Sequence, residues 1–585
     1  MKQLKLMTAA VLTFCLLLSA AGCSAKKPAE VKREVYDYQS HDWVLNEPAK
    51  TLDLVLFNSG DSGAGDVSAR ILQGVINKKQ PRVYIAKEWS QHGVNVEAVR
   101  QSILRDYGEV DFAELKRDDA KHHQKYSVFW TLFSKYSKEV EKIFVFSDSV
   151  ELSDTINVAA MFASRYNGVA VNRELADQII GAGYDLPVID IVEYCDFTGD
   201  KASPFYINEW IGENLADGAS KSLVVAAMPS EREEGGEFLP MYYDLAVATN
   251  ALIYNAAFDY LDEGKRVSTT VLDRFPDNTP VVGWAGMAME DDYVTTISKC
   301  GKLVAGIDWG FGNGSVWAAF PPYIHEETVA PVPDTYEAKE GETYIAFMTS
   351  DGDAWHFIDG NFLAFWNTDA RGKYPIGWSI GSLLYIYSPL MLEYIYDTRT
   401  DLDNLMQGPS GVSYLFPSMT PPDSYTNFLK STKTVFGKLG INMTNMWDYA
   451  GGSVPGNSKV CTDEKLIKEY IDIVQPDALF LGHDSLDGKY SIYKNTVIME
   501  EVGDFKLGGA ANPEDIIGAV DTIRAKNTTG KPTFIMVNLT AWGDCVTALE
   551  EAITTLQSRG DGGQYHFITP AELVAAIKTT EGVTK

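Results

Sequence analysis

The feature that most restricts what this chain can fold into is a repeated alternation. Short apolar runs rich in β-branched and aromatic residues are separated by segments with helical spacing. LDLVLF (52–57), PRVYIA (81–86), KIFVFSD (142–148), GVAVN (168–172), LPVIDIVE (186–193), SLVVAAMP (222–229), TPVVGWAG (279–286) and KLVAGIDWG (302–310) read as strands in the first half. SARILQGVINKKQ and SDTINVAAMFASRY between them read as helices, and MYYDLAVATNALIYNAA (241–257) as a long amphipathic one. Strands that alternate with helices pair in parallel, so residues 49–320 are expected to form two or three small parallel-sheet α/β units.

A Pro-rich acidic stretch, 321–342, reads as a linker or extended crossover. The pattern then resumes with YIAFMT, INMTNMWD, DALFLG, PTFIMVNL and YHFIT, with SPLMLEYIYD, TDEKLIKEYIDIV and PEDIIGAVDTIRAK between them. Residues 343–585 are therefore expected to form a β/α, TIM-like barrel, complete or short of a strand.

The amino terminus has a separate logic. Lys2 and Lys5 precede an apolar stretch from Leu6 to Leu18, too short to span a bilayer, and Ser19-Ala20-Ala21-Gly22 puts small residues before Cys23. Residues 1–22 read as a lipoprotein signal peptide, with Cys23 as the lipidated new terminus and 23–48 as a polar tether. The expected place is extracytoplasmic, on the bacterial cell membrane, held by that lipid anchor alone.

The net charge of −30 becomes −32 once the two signal-peptide lysines leave. Such a surface repels nucleic acid and favours solubility. Cys195, Cys300, Cys461 and Cys545 are far apart with no C-x-x-C, which excludes a structural zinc module and leaves free thiols and disulfides both open. Gly60, Gly63 and Gly65 lack the order of a dinucleotide or P-loop fingerprint and read as a turn before a helix.

Parallel β/α folds bind ligands at the carboxyl ends of their strands, and there the sequence repeatedly places acids. Asp351 and Asp353 follow YIAFMTS, Asp448 follows INMTNMW, His483 and Asp484 follow DALFLG, and Asn538 follows FIMV. Any one such acid is commonly a helix cap or turn former. Together they suggest the carboxyl pair of glycoside hydrolysis, one protonated and one ionised, with Asp351 and Asp353 first and Asp448 or Asp484 as partner. Trp355, His356, Trp378, Tyr414, Phe416, Trp447 and His483 supply rings and hydrogen bonds for a sugar, although single aromatics mostly fill cores. Glu290 and the pair Asp308-Trp309 are the strand-end groups of the first half that could close the cleft from the other side.

The segment Gly411-Val412-Ser413-Tyr414-Leu415-Phe416-Pro417 resembles the signature of the GxGYxYP family, a set of proposed glycoside hydrolases of bacterial carbohydrate-processing systems. Ser413 stands where the family has its second Gly, and Phe416 replaces its second Tyr. The turn Ser350-Asp351-Gly352-Asp353 is similar to the family's SDGDN, with Ala354 in place of Asn. LQGVINKKQPRVYI (72–85) and residues 283–316 also resemble its amino-terminal region.

The resemblance implies hydrolysis of extracellular glycans, with a carbohydrate as the partner and no cofactor. Two other readings stay open. One is a non-catalytic glycan-binding lipoprotein; the other is a metal-dependent deacetylase, for which no H-x-x-x-H pair exists. Asp351 and Asp353 also offer oxygen ligands to calcium or magnesium.

Overall fold

A computed structural model describes residues 35–36, 42, 45–57, 63–118, 125–229, 242–284, 290–307, 312–349, 351–448, 463–482, 487–503, 510, 512–540, 543–559 and 564–583, with the backbone alone of His356. Residues from Val35 onward form one compact unit. Among the described residues its first half holds three parallel sheets and one short antiparallel pair, Ser90–Gln91 with Val94–Asn95. The first joins β1 (Thr51–Leu56), β2 (Val83–Ala86) and β3 (Asp111–Glu114) in the order β2-β1-β3. The second joins β4 (Lys142–Val145), β5 (Gly168–Val171) and β6 (Val188–Asp190) in the order β5-β4-β6. The third joins β7 (Val224–Ala226), β8 (Leu252–Tyr254), β9 (Pro280–Gly283) and β10 (Leu303–Ala305) in the order β8-β7-β9-β10.

One expectation fails here. Residues 241–257 are not a single helix: the helix Tyr243–Ala248 stops, Asn250 turns the chain at φ 53°, and β8 follows. Leu252, Ile253 and Tyr254 are fully buried, and pairing with β7 satisfies their backbone in a place where a helix would not fit the sheet.

The second half is a curled β/α half-barrel, as the alternation predicts. Its strands are β11 (Thr343–Thr349), β12 (Ile376–Ile380), β13 (Asp403–Gln407), β14 (Met443–Met446), β15 (Ala478–Leu481), β16 (Tyr490–Tyr493), β17 (Thr496–Glu500), β18 (Thr533–Leu539) and β19 (Tyr565–Phe567). The order is β16-β17-β15-β14-β13-β12-β11-β18, and β19 pairs with β11 as well. Among these strands β16 alone runs antiparallel to its neighbour.

The chain just beyond β17 returns to β18, where Val502 bridges Val537 and Ala510 bridges Leu539. At its amino end β11 pairs with β19, and it meets β12 only at Met348, opposite Gly377. One face of this sheet carries Ala346, Met348, Met406, Met443, Phe480, Met499 and Met536, packed against the helix Pro570–Thr580. Among the described residues no helix is long and apolar enough to cross a membrane, and Cys195, Cys300 and Cys545 are buried and form no disulfide with one another.

A buried ion pair ties the first half to the second. Arg100, in the helix Val96–Asp106, reaches Asp359 Oδ2 at 2.7 Å and donates twice to its carbonyl. Asp359 lies in a π-helical turn, Ile358–Phe362, just after the strand-end turn of β11. Removing one partner of a buried pair leaves the other charge unpaired in low dielectric. Arg100→Ala should therefore destabilise the protein by about 3–5 kcal/mol, seen as a lower urea midpoint; an unchanged midpoint would mean that this pair does not join the halves.

Candidate active site

β11 delivers its chain end into a tight turn. Asp351 adopts the left-handed region at φ 61°, a conformation that aspartate tolerates better than most residues, and its carbonyl accepts from Ala354 N at 3.0 Å. The turn lies against the ends of two neighbouring strands. Gly352 N donates to Ser379 Oγ at 3.2 Å, and a Cβ on Gly352 would sit 2.3 Å from that oxygen. A Cβ on Gly408, beyond β13, would sit 2.7 Å from the Gly352 carbonyl carbon. These two glycines let three strand ends converge, and the turn then points Asp353 toward the first half, where Trp355 N donates to Gly306 O at 2.7 Å.

The loop that carries the sequence signature completes the junction. Val304 of β10 and Tyr414 exchange backbone hydrogen bonds, Val304 N to Tyr414 O at 2.8 Å and Tyr414 N to Val304 O at 3.1 Å. Ser413 Oγ donates to Val304 O at 2.5 Å, and Phe416 N donates to Ser298 Oγ at 2.9 Å. The serine that departs from the family pattern thus adds a bond that glycine cannot make. In this register the Tyr414 hydroxyl donates to Glu290 Oε1 at 3.0 Å. Glu290 is the first residue of the helix Glu290–Lys299, which leads into β10.

Three carboxyls from two halves of the chain now act on one another. Burial pushes Asp353 well above the ordinary carboxyl range, and the charges of Asp351 and Glu290 push it further. Burial likewise raises Glu290 to about 7, against a lowering hydrogen bond from Tyr414. Its neighbour Asp291 is raised to about 6, by burial and then by Asp292. Both Asp353 and Glu290 thus hold their protons more tightly than ordinary carboxyls do, chiefly because of burial.

The other sequence candidates divide. Tyr414, Phe416 and Trp447 do come together, with Tyr414 edge-on to Phe416 at 5.6 Å and to Trp447 at 6.1 Å, but all three are buried. They form the wall behind the carboxyls rather than an open stacking platform. Asp448 lies at the same loop, where its two oxygens accept from Ser418 N at 2.9 Å and Ser418 Oγ at 2.7 Å. It anchors the loop and is not among the charges acting on Asp353 or Glu290.

Trp378 is a correction. As the middle residue of β12 it turns away from the Ser379 side, packs on Phe362 and Trp366, and donates to Asp403 Oδ1 at 2.7 Å. Its ring is core, because residues one apart in a strand point to opposite faces. Trp355 is buried too, against Tyr387 at 4.6 Å. Asp308, Trp309, His483, Asp484 and Cys23 lie outside the described residues, as does the His356 side chain. Among the described residues no group of three or more His, Cys, Asp or Glu is arranged to hold a metal ion.

Sequence reasoning left two groups out. Asp291 was overlooked beside Glu290, although E-D-D at a helix start is a visible acidic first turn. Glu501 was overlooked as well, although it follows the apolar run of β17 just as Asp351 and Asp353 follow that of β11. It is fully buried and raised to about 7, chiefly by burial.

Residues 341–578 match the family described as GxGYxYP putative glycoside hydrolase C-terminal domain. The chain is also similar in fold to the crystal structure of a putative hydrolase from Bacteroides thetaiotaomicron VPI-5482, with a TM-score of 0.73 and 19% identity over 92% of this chain and 96% of that one. A second structure, Puue allantoinase, aligns with a TM-score of 0.30 and 9% identity over 41% of this chain and 91% of that one, and no likeness is drawn from it. No curated protein matches.

The Tyr414 bond favours the ionised form of Glu290, so its loss must favour the proton. Tyr414→Phe is expected to move the Glu290 midpoint upward from about 7, followed by carbon NMR of labelled carboxyls. A midpoint that stays or falls would show that the phenol does not act on this carboxyl.

Proposed function

Since residues 341–578 belong to the GxGYxYP family of putative glycoside hydrolases, we propose that the protein hydrolyses glycosidic bonds in extracellular glycans at the Asp351–Asp353–Glu290 cluster. The observation that carries this reading is the raised proton affinity of Asp353 beside Asp351 and Glu290. Burial and the charges of Asp351 and Glu290 push Asp353 well above the ordinary carboxyl range, the direction that a general acid toward a leaving oxygen requires.

In the proposed reaction the Asp353 proton passes to the glycosidic oxygen as the bond from the sugar carbon breaks. Asp351 serves that carbon as base toward water or as nucleophile. In either course the sugar carbon gains an oxygen from water and the leaving oxygen keeps the proton. Glu290, held by Tyr414, maintains the negative field that keeps Asp353 protonated. We place the protein outside the cytoplasm, on a lipid anchor at Cys23.

Asp353→Asn should lower turnover on a glycan panel by roughly 10²–10⁴-fold with the fold intact by circular dichroism. Glu290→Gln removes one of the charges that raise Asp353, so the alkaline limb of the rate profile should move to lower pH. Binding without cleavage by the native protein would replace this reading with that of a glycan-binding lipoprotein. Separately, Cys23→Ser should shift the protein from the detergent phase to the aqueous phase on partitioning; retention in detergent would refute the anchor.

A further inference from the structure

The Met-lined face of the half-barrel changes character at its carboxyl rim. Side chains two apart in a strand share a face, and two residues beyond Met443, Phe480, Met499 and Met536 stand Asn445, Gly482, Glu501 and Asn538. Glu501 Oε2 accepts from Asn538 Nδ2 at 2.6 Å, and the Trp447 indole N–H also acts on this carboxyl. No charged group is among the influences on it.

Glu501 and Trp447 meet over a glycine that leaves them room. A Cβ on Gly482 would lie 2.6 Å from Glu501 Oε2 and 2.2 Å from Trp447 Nε1. With its amide oriented to satisfy both atoms, Asn445 accepts from Trp447 Nε1 at 3.2 Å. A fully buried carboxyl without a cation is costly, whereas another methionine would suit this face. The acid therefore needs a reason, and the indole supplies one.

Trp447 is held at both ends. Its backbone is pinned by Ser410 Oγ, which accepts from its N at 3.2 Å and donates to its O at 3.1 Å. Its ring stands edge-on to Tyr414, whose hydroxyl reaches Glu290. We infer that Glu501 is a positioning residue for the carboxyl cluster: by holding the Trp447 indole, it fixes the Tyr414 phenol on Glu290. This assignment rests on the proposed hydrolytic site and names the buried support of its acid–base group. The titratable groups acting on Glu290 are Tyr414, Asp351 and Asp291, and Glu290 in turn acts on Asp353.

The test reads the Glu290 midpoint in the full chain by carbon NMR of labelled carboxyls, assigned with Glu290→Gln. Glu501→Ala should raise that midpoint in the same direction as Tyr414→Phe, and adding it to Tyr414→Phe should raise it no further. Glu501→Gln, which can still accept a hydrogen bond, should leave it at the native value. A merely structural role would lower the melting temperature without moving the Glu290 titration.

Should Glu501→Ala fail to fold, Trp447→Phe, which removes the N–H while keeping a ring, should give the same upward shift. A native midpoint in either folded variant overturns the inference. Turnover by the native protein is measured separately. Cleavage with no shift removes the positioning role and leaves hydrolysis standing; a shift with no cleavage of any glycan does the reverse.

Discussion

Two backbone hydrogen bonds between Val304 and Tyr414 set the register on which the buried carboxyl cluster depends. They join the last strand of the first half to a loop of the second, so the helix leading into that strand presents Glu290 to the Tyr414 hydroxyl. Close by, Gly306 and Ala354 form a second bridge and hold the Asp351–Asp353 turn against the same strand end. Neither half contains the cluster alone.

Gathering carboxyls in a partly dry place is unfavourable, since each prefers water and each repels the others. The fold offsets this in three ways. Asp353 is pushed toward its neutral, protonated form by burial and by Asp351 and Glu290. Glu290 receives a phenolic hydrogen bond from Tyr414. The cost is also spread over a large, well-packed frame, including the buried Arg100–Asp359 pair just beyond the turn.

The aromatic residues correct a tempting argument. Tyr414, Phe416 and Trp447 stand beside acids in sequence and read as sugar platforms, yet they are packed edge to face and buried. Tyr414, instead of facing a sugar, hydrogen-bonds Glu290. Ser413 points the same way: a position where the family pattern has glycine instead adds a bond to Val304, so the signature loop is a docking device as much as a surface.

Strand and helix alternation, parallel pairing and the acids at strand ends were legible in the sequence, because burial periodicity and turn chemistry are local. Asp351 and Asp353 could be found because they interrupt an apolar run. β8 was lost inside an apparent helix, since LIY alone cannot say whether a sheet edge awaits it, and β12 and β13 hid because IGWSI and DNLMQ carry buried polar residues. Which acids meet was a matter for tertiary structure alone. Glu290 is over sixty residues from Asp353, Asp448 turned to Ser418, and Trp378 faced the helices, because proximity across elements is set by register and packing, which no local pattern encodes.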